Sequence, residues 1–143
     1  MIPVKPHIAA RAHVASFDDY QALYRRSIAD PEGFWRDQAA LLTWFHQPYQ
    51  VFDSDLREVD FSWYGGGRLN ACFNCVDRHL ATQPDKPAIL WAGDEPGDYR
   101  SISYRELKHM VCRIANVLTA HGVRRGDRVA IYLGMIPEIA VAM

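Results

Sequence analysis

"SYRELKHMVCRIANVLTAHGVRRGDRVAIYL", residues 103–133, decides the fold class. Ser103 and Glu106 have the spacing of a capping box, in which the hydroxyl and the carboxylate each satisfy a free backbone N–H at a helix start. Leu107, Met110, Val111, Ile114, Val117 and Leu118 then recur at helical spacing, and Gly122 stands where a left-handed residue closes a helix. After the turn "VRRGD", the run "RVAIYL", residues 128–133, is apolar at consecutive rather than alternating positions from Val129 onward, which predicts a strand covered on both faces. Pro137 and Glu138 open a further helix. Helix, buried strand, helix is the order of an α/β domain.

Working outward toward the N-terminus, the apolar run 88–91 and a second short run at 99–103 flank a turn rich in Gly, Asp and Pro, which predicts a β-hairpin with a long loop. Before it, Leu69, Cys72, Phe73, Val76 and Leu80 fall on one narrow stripe and predict a helix. Periodicity fades over 46–67, where Tyr49, Phe52, Phe61, Trp63 and Tyr64 are scattered among polar residues ahead of Gly65-Gly66-Gly67. This stretch reads as an extended connector lying against something apolar. The glycines read as a plain turn, because no strand precedes them at nucleotide-loop spacing and no Lys-Ser or Lys-Thr follows.

Two helix starts lie further upstream. Ser16 and Asp19 form a capping box with Asp in place of Glu, and Phe17, Tyr20, Leu23, Tyr24 and Ile28 form the stripe of a helix over Phe17–Ala29. Asp30 caps the next helix, Pro31 fits its first position, and Phe34, Trp35, Gln38, Ala39, Leu42 and Phe45 continue the stripe. The expected architecture is α/β: an N-terminal helical arm, then the beginning of an α/β lobe that is incomplete. Only seven residues run from Pro137 to Met143, less than two turns, and a buried parallel strand at 128–133 lacks a following neighbour. The sequence therefore reads as interrupted.

With 49% hydrophobic residues, 143 positions are enough for a real core. Sixteen Lys and Arg against seventeen Asp and Glu leave a net charge of −1 without blocks of like charge, so neither a nucleic-acid footprint nor a basic membrane patch is expected. No apolar run approaches the roughly 18 to 20 residues of a membrane-spanning helix. Residues 1–17 do not read as a secretory leader, and three cysteines do not make a disulfide scaffold. A soluble, cytoplasmic protein is the expectation.

One constellation invites a metal. Cys72, Cys75 and His79 form Cys-x-x-Cys-x-x-x-His and, on a continuous helix, lie on one stripe of its surface. Against this, Cys72 belongs to the apolar stripe, a structural zinc site needs a fourth ligand, and Cys112 lies mid-helix. A redox pair is disfavoured because both cysteines sit inside the predicted helix instead of at its N-terminus. Asp77 and His79 do not form a catalytic pair by adjacency, since neighbouring helical residues diverge by about 100°. His7, His13, His46, His109 and His121 are isolated, and no nucleophile elbow, phosphate-binding glycine loop or dinucleotide fingerprint occurs. From the residues alone no catalytic, cofactor-binding or metal residue is assigned.

The segments "DPEGFW", "LNACFNCVDRHL", "AILWAGDEPGD", "SISYRELKHMVCRIANVL", "GVRRGDRVAIYL" and "MIPEIAVAM" together resemble the N-terminal part of AMP-forming acetyl-CoA synthetases, in the acyl-adenylate-forming superfamily. The resemblance implies a ligase that joins acetate to CoA through acetyl-adenylate, with ATP and CoA as substrates and Mg expected with ATP. It implies residues 1–64 as the helical arm and connector, and residues 65–143 as the truncated start of the AMP-binding α/β domain. The family's phosphate loop, adenine and ribose contacts, carboxylate pocket, CoA-binding arginines and catalytic lysine all lie downstream of this segment, so no site residue carries over. The chain alone is expected to be inert, to bind neither ATP nor CoA, and to have the remainder of the same polypeptide as its partner. The alternatives are a non-enzymatic interaction module docking on that remainder, or a propionyl-CoA synthetase-type relative.

Overall fold

The computed structural model describes residues 4–55 and 57–143, which divide into two compact units, Met1–Leu69 and Asn70–Met143. Among the described residues the chain is mixed α/β, with six α-helices and two separate two-stranded antiparallel sheets.

The first unit holds α1 (Pro6–Ala9), α2 (Phe17–Ala29), α3 (Pro31–Ala39), β1 (Gln50–Asp55) and β2 (Asp60–Gly65). Ser16 and Asp19 form the capping box of α2, with the hydroxyl accepting from Asp19 N–H at 3.1 Å and the carboxylate accepting from Ser16 N–H at 3.1 Å. Asp30 caps α3 by accepting from Gly33 N–H at 3.0 Å, with Pro31 behind it. Arg26 reaches across the bend to Asp37 at 2.5 Å and fixes the angle between the two helices. The stripe of α2 is not covered: Phe17, Tyr20, Tyr24 and Ile28 are all more than half exposed, and no residue of the helix is buried.

The connector expected over 46–67 is instead a hairpin. Phe52 pairs with Trp63 and Ser54 with Phe61. Phe52 and Trp63 face each other across the strands with their rings tilted, and this stabilises a pair too short to stand on backbone hydrogen bonding alone. Trp63 meets Phe52 at 5.3 Å and Trp35 of α3 at 5.8 Å, and the Tyr64 hydroxyl donates to the Trp35 carbonyl at 3.1 Å. The prediction that this stretch lies against apolar surface holds, and the expected extended connector is two paired strands.

The second unit holds α4 (Ala71–Cys75), a single 3-10 turn (Asp77–His79), β3 (Pro87–Ala92), β4 (Tyr99–Ser103), α5 (Tyr104–Ala120) and α6 (Pro137–Ala142). The predicted hairpin and long helix are both present. Ser103 and Glu106 complete the capping box of α5. At the other end Gly122 takes φ +83°, while Val123 N–H donates to Leu118 O at 3.0 Å and Gly122 N–H to Thr119 O at 3.0 Å, the pair of bonds that closes a helix around a left-handed residue. The core is Val76, Ile102, Leu107 and Val141, with Cys72, Ala88, Ile89, Met110, Val111 and Ile114 packed around it.

Two expectations are corrected here. The helix predicted over 69–80 breaks at Val76 (φ −126°, ψ −64°), because the short capped helix has to turn Val76 into the core while Asp77 turns toward α5. Residues 128–133 are exposed and form no strand. A strand is defined by its neighbour, and among the described residues none offers it a ladder. Although α6 is only six residues long, it is held by packing: Pro137 and Val141 are buried, Arg100 pairs with Glu138 at 2.9 Å, and the Trp91 indole donates to the Met135 carbonyl at 2.7 Å. No helix among the described residues is long and apolar enough to cross a membrane.

Candidate functional site

The chemistry-bearing side chains singled out by spacing lie on α4 and the turn behind it. Asn70 starts α4, its side chain accepting from Phe73 N–H at 2.9 Å. Asn74, the only buried polar residue among those described, donates to the Asn70 carbonyl at 3.1 Å and accepts from Arg78 at 3.1 Å. These bonds complete the helix end and leave its three candidate ligands facing different surroundings.

Cys72 is half-buried against the core, and its thiol faces the Asp77 carboxylate at 3.8 Å. The other oxygen of Asp77 takes the Lys108 ammonium. Burial first, and then the Asp77 charge, push the Cys72 thiol above its ordinary value, with Lys108 opposing in part. A thiol held protonated is a weak nucleophile and a weak metal ligand. The hydrogen bond to Asp77 in turn raises Lys108 and keeps it cationic. Cys75 is exposed. His79 lies with its ring 4.8 Å from that of Tyr104, and its Nδ1 faces Gln83 Nε2 at 3.1 Å. The break at Val76 removes the continuous stripe on which Cys72, Cys75 and His79 could converge, and among the described residues no group of three His, Cys, Asp or Glu is placed to hold a metal.

The glycine run has a structural explanation. Gly66 sits at φ +73°, and a Cβ there would lie 2.5 Å from the Tyr49 ring, while one on Gly67 would lie 2.6 Å from the Trp44 ring. Gly67 N–H donates back to the Tyr64 carbonyl at 2.9 Å. The run is a turn pressed onto two aromatic faces, with its open side filled by rings and not by space for a phosphate.

An open groove runs along β4 and the start of α5, lined by Tyr99, Arg100, Arg105, Glu106, His109 and Met110. Its cations are engaged within the chain, Arg100 with Glu138 and Arg105 with Asp85 at 3.0 Å. Sequence reasoning missed the Asp77–Lys108 and Arg100–Glu138 pairs, which join residues 31 and 38 positions apart and leave no local signature.

Similarity to other proteins carries the assignment further than the geometry of the described residues does. Residues 20–75 match the family described as acetyl-coenzyme A synthetase N-terminus, and residues 76–143 match the AMP-binding enzyme family. The acetyl-coenzyme A synthetase of Alkalilimnicola ehrlichii is 49% identical over 142 residues, covering 99% of this chain and 22% of that enzyme. The chain belongs to the acetyl-coenzyme A synthetase family. Two further members behave alike: the enzyme of Magnetococcus marinus is 51% identical and acetyl-coenzyme A synthetase 2 of Pseudomonas aeruginosa 49% identical, each over 99% of this chain and 22% of its own length. The chain thus corresponds to the N-terminal segment of acetyl-coenzyme A synthetases and spans about a fifth of their length. The resemblance read from "LNACFNCVDRHL" and the other segments is the family that the comparisons return.

Proposed function

We propose that this chain is the N-terminal part of an AMP-forming acetate–CoA ligase, one that makes acetyl-CoA from acetate, ATP and CoA through acetyl-adenylate. The observation that carries the reading is identity of 49–51% sustained over 99% of the chain, across both the N-terminal and the AMP-binding regions. In this reading residues 1–64 are the arm and connector, and residues 65–143 begin the AMP-binding domain. The segment supplies no catalytic, nucleotide-binding or metal-binding residue, so ATP with its Mg and CoA bind elsewhere in the enzyme. The protein is cytoplasmic, and its balanced charge gives it neither nucleic acid nor membrane as a partner.

Two experiments test this together. Residues 1–143 alone show no acetate-dependent exchange of pyrophosphate into ATP; exchange above a no-enzyme background overturns the inertness. A chimera in which residues 1–143 replace the matching segment of the Alkalilimnicola ehrlichii enzyme retains acetate-dependent adenylation; a folded chimera that has lost it overturns the assignment. The same chimera compared on propionate tests the propionyl-CoA synthetase-type alternative.

One observation favours a second reading. The exposed stripe of Phe17, Tyr20, Tyr24 and Ile28 on α2 is a docking face for the remainder of a longer polypeptide, which makes this segment an assembly module. Co-expression with the rest of the enzyme then raises the soluble yield of residues 1–143; unchanged yield argues against it.

A further inference from the structure

We propose that Cys72 and Lys108 form a redox-controlled covalent bridge: a peroxide oxidises the Cys72 sulfur, and the Lys108 amine captures it as a sulfenamide that ties α4 to α5. The arrangement that leads there is one carboxylate shared by a thiol and an amine. Asp77 faces the Cys72 thiol at 3.8 Å with one oxygen and holds the Lys108 ammonium with the other, so sulfur and nitrogen stand on the two arms of a single side chain. All three residues lie within the second unit.

The site is sheltered but not sealed. The side chains of Asp77 and Lys108 are 24% and 34% exposed, and Cys72 is half-buried against the core that holds Val76. A molecule as small as hydrogen peroxide reaches such a sulfur, whereas a bulky external thiol that would otherwise cap the oxidised form is at a disadvantage. The competing partners within the chain are Cys75, exposed on α4, and Cys112, one turn beyond Lys108 on α5.

The bridge forms in two balanced steps. The Cys72 thiol and hydrogen peroxide give the sulfenic acid and water, the sulfur losing two electrons and the O–O bond taking them. The Lys108 ammonium then passes one proton to the Asp77 carboxylate, and the freed nitrogen lone pair attacks the sulfur. The S–O bond breaks, and the hydroxide leaves as water with a second proton from the nitrogen. Oxidation of a protonated thiol is slow, since the thiolate is the attacking form. The shared carboxylate governs the fate of the oxidised sulfur and not the rate at which it forms.

The test treats the folded chain with hydrogen peroxide, digests it with a glutamate-specific protease and maps the peptides by tandem mass spectrometry. The peptides of Cys72 and Lys108 are expected joined, about 2 Da lighter than their sum, and separated again by a thiol reductant. Lys108→Arg keeps a cation on Asp77 but has no amine able to attack. In a Cys75→Ser, Cys112→Ser background, dimedone added after peroxide then traps Cys72 about fivefold more in the Lys108→Arg chain than in the chain that keeps Lys108. Equal trapping in the two chains overturns the proposal, as does Cys72 recovered only as the free thiol or as its higher oxides. In the chain with all three cysteines, Cys72 found chiefly in a disulfide with Cys75 or Cys112 overturns it too, since the sulfur then has its preferred partner elsewhere.

Discussion

Asp77, in the 3-10 turn behind α4, holds the Lys108 ammonium of α5 with one carboxylate oxygen and faces the Cys72 thiol with the other. One side chain thereby connects the element that breaks at Val76 to the longest helix of the chain. Replacing it as Asp77→Asn keeps the shape and removes the charge. The expected loss is about 1 kcal/mol, measured by urea denaturation, because the pair is only partly shielded from water. The Cys72 thiol also falls toward its ordinary value, so its alkylation profile moves to lower pH than in the wild-type chain. An unchanged profile would mean that burial alone sets the thiol.

Acid weakens the second unit in a defined window. Ser103 holds the Glu106 carboxyl below the usual range, Arg100 holds Glu138 down, and Arg105 holds Asp85 down. A carboxyl whose folded value is depressed contributes stability that is complete above its unfolded value and is lost as pH falls through the folded one. Tm is therefore flat from neutral pH down to about 5 and declines below about 4. The Glu106→Gln variant has a shallower decline; an identical acid limb would remove Glu106 from the account.

The turn at Gly66 tolerates no side chain. Gly66→Ala places a methyl at φ +73° and 2.5 Å from the Tyr49 ring, whereas Gly97→Ala, at φ +92° with nothing within 4 Å, meets only the backbone penalty. Gly97→Ala costs about 1 kcal/mol and Gly66→Ala about 1–2 kcal/mol more. In the Tyr49→Ala background that excess disappears. Thermal unfolding of the four chains gives the comparison, and an excess that survives without the ring would refute the steric origin.

Leu107 and Leu90 separate burial from hydrophobicity. Leu107 is 7% exposed in the core, and Leu90 is 78% exposed on the outer side of β3. Leu107→Ala is expected to cost about 2–4 kcal/mol, and Leu90→Ala less than about 0.5 kcal/mol. Equal losses would place Leu90 under cover in solution.

What could be read in advance was what neighbouring residues decide. Ser103 with Glu106, Ser16 with Asp19, and Asp30 with Pro31 carry their helix starts within four residues, and each forms as expected. The hairpin of β1 and β2 was hidden because its aromatics make sense only across strands, where Phe52 meets Trp63, and the acidic residues between them mask any alternation. The helix over 69–80 failed at Val76 for a similar reason: the spacing of Cys72, Cys75 and His79 is local, while the pull of Asp77 toward Lys108 comes from 31 residues away. For 128–133 the composition does specify a strand-forming run, yet the ladder that would make it a strand is not a property of the run itself.

The four core residues have a consequence for the order of synthesis. Val76, Ile102 and Leu107 emerge from the ribosome well before Val141, and until Val141 arrives the pocket they form faces water. The hairpin and α5, whose contacts are local, can organise early, but closure of the unit waits for α6. Translation speed across codons 108–141 then sets how long a half-built apolar surface is open to chaperones or to a neighbouring nascent chain.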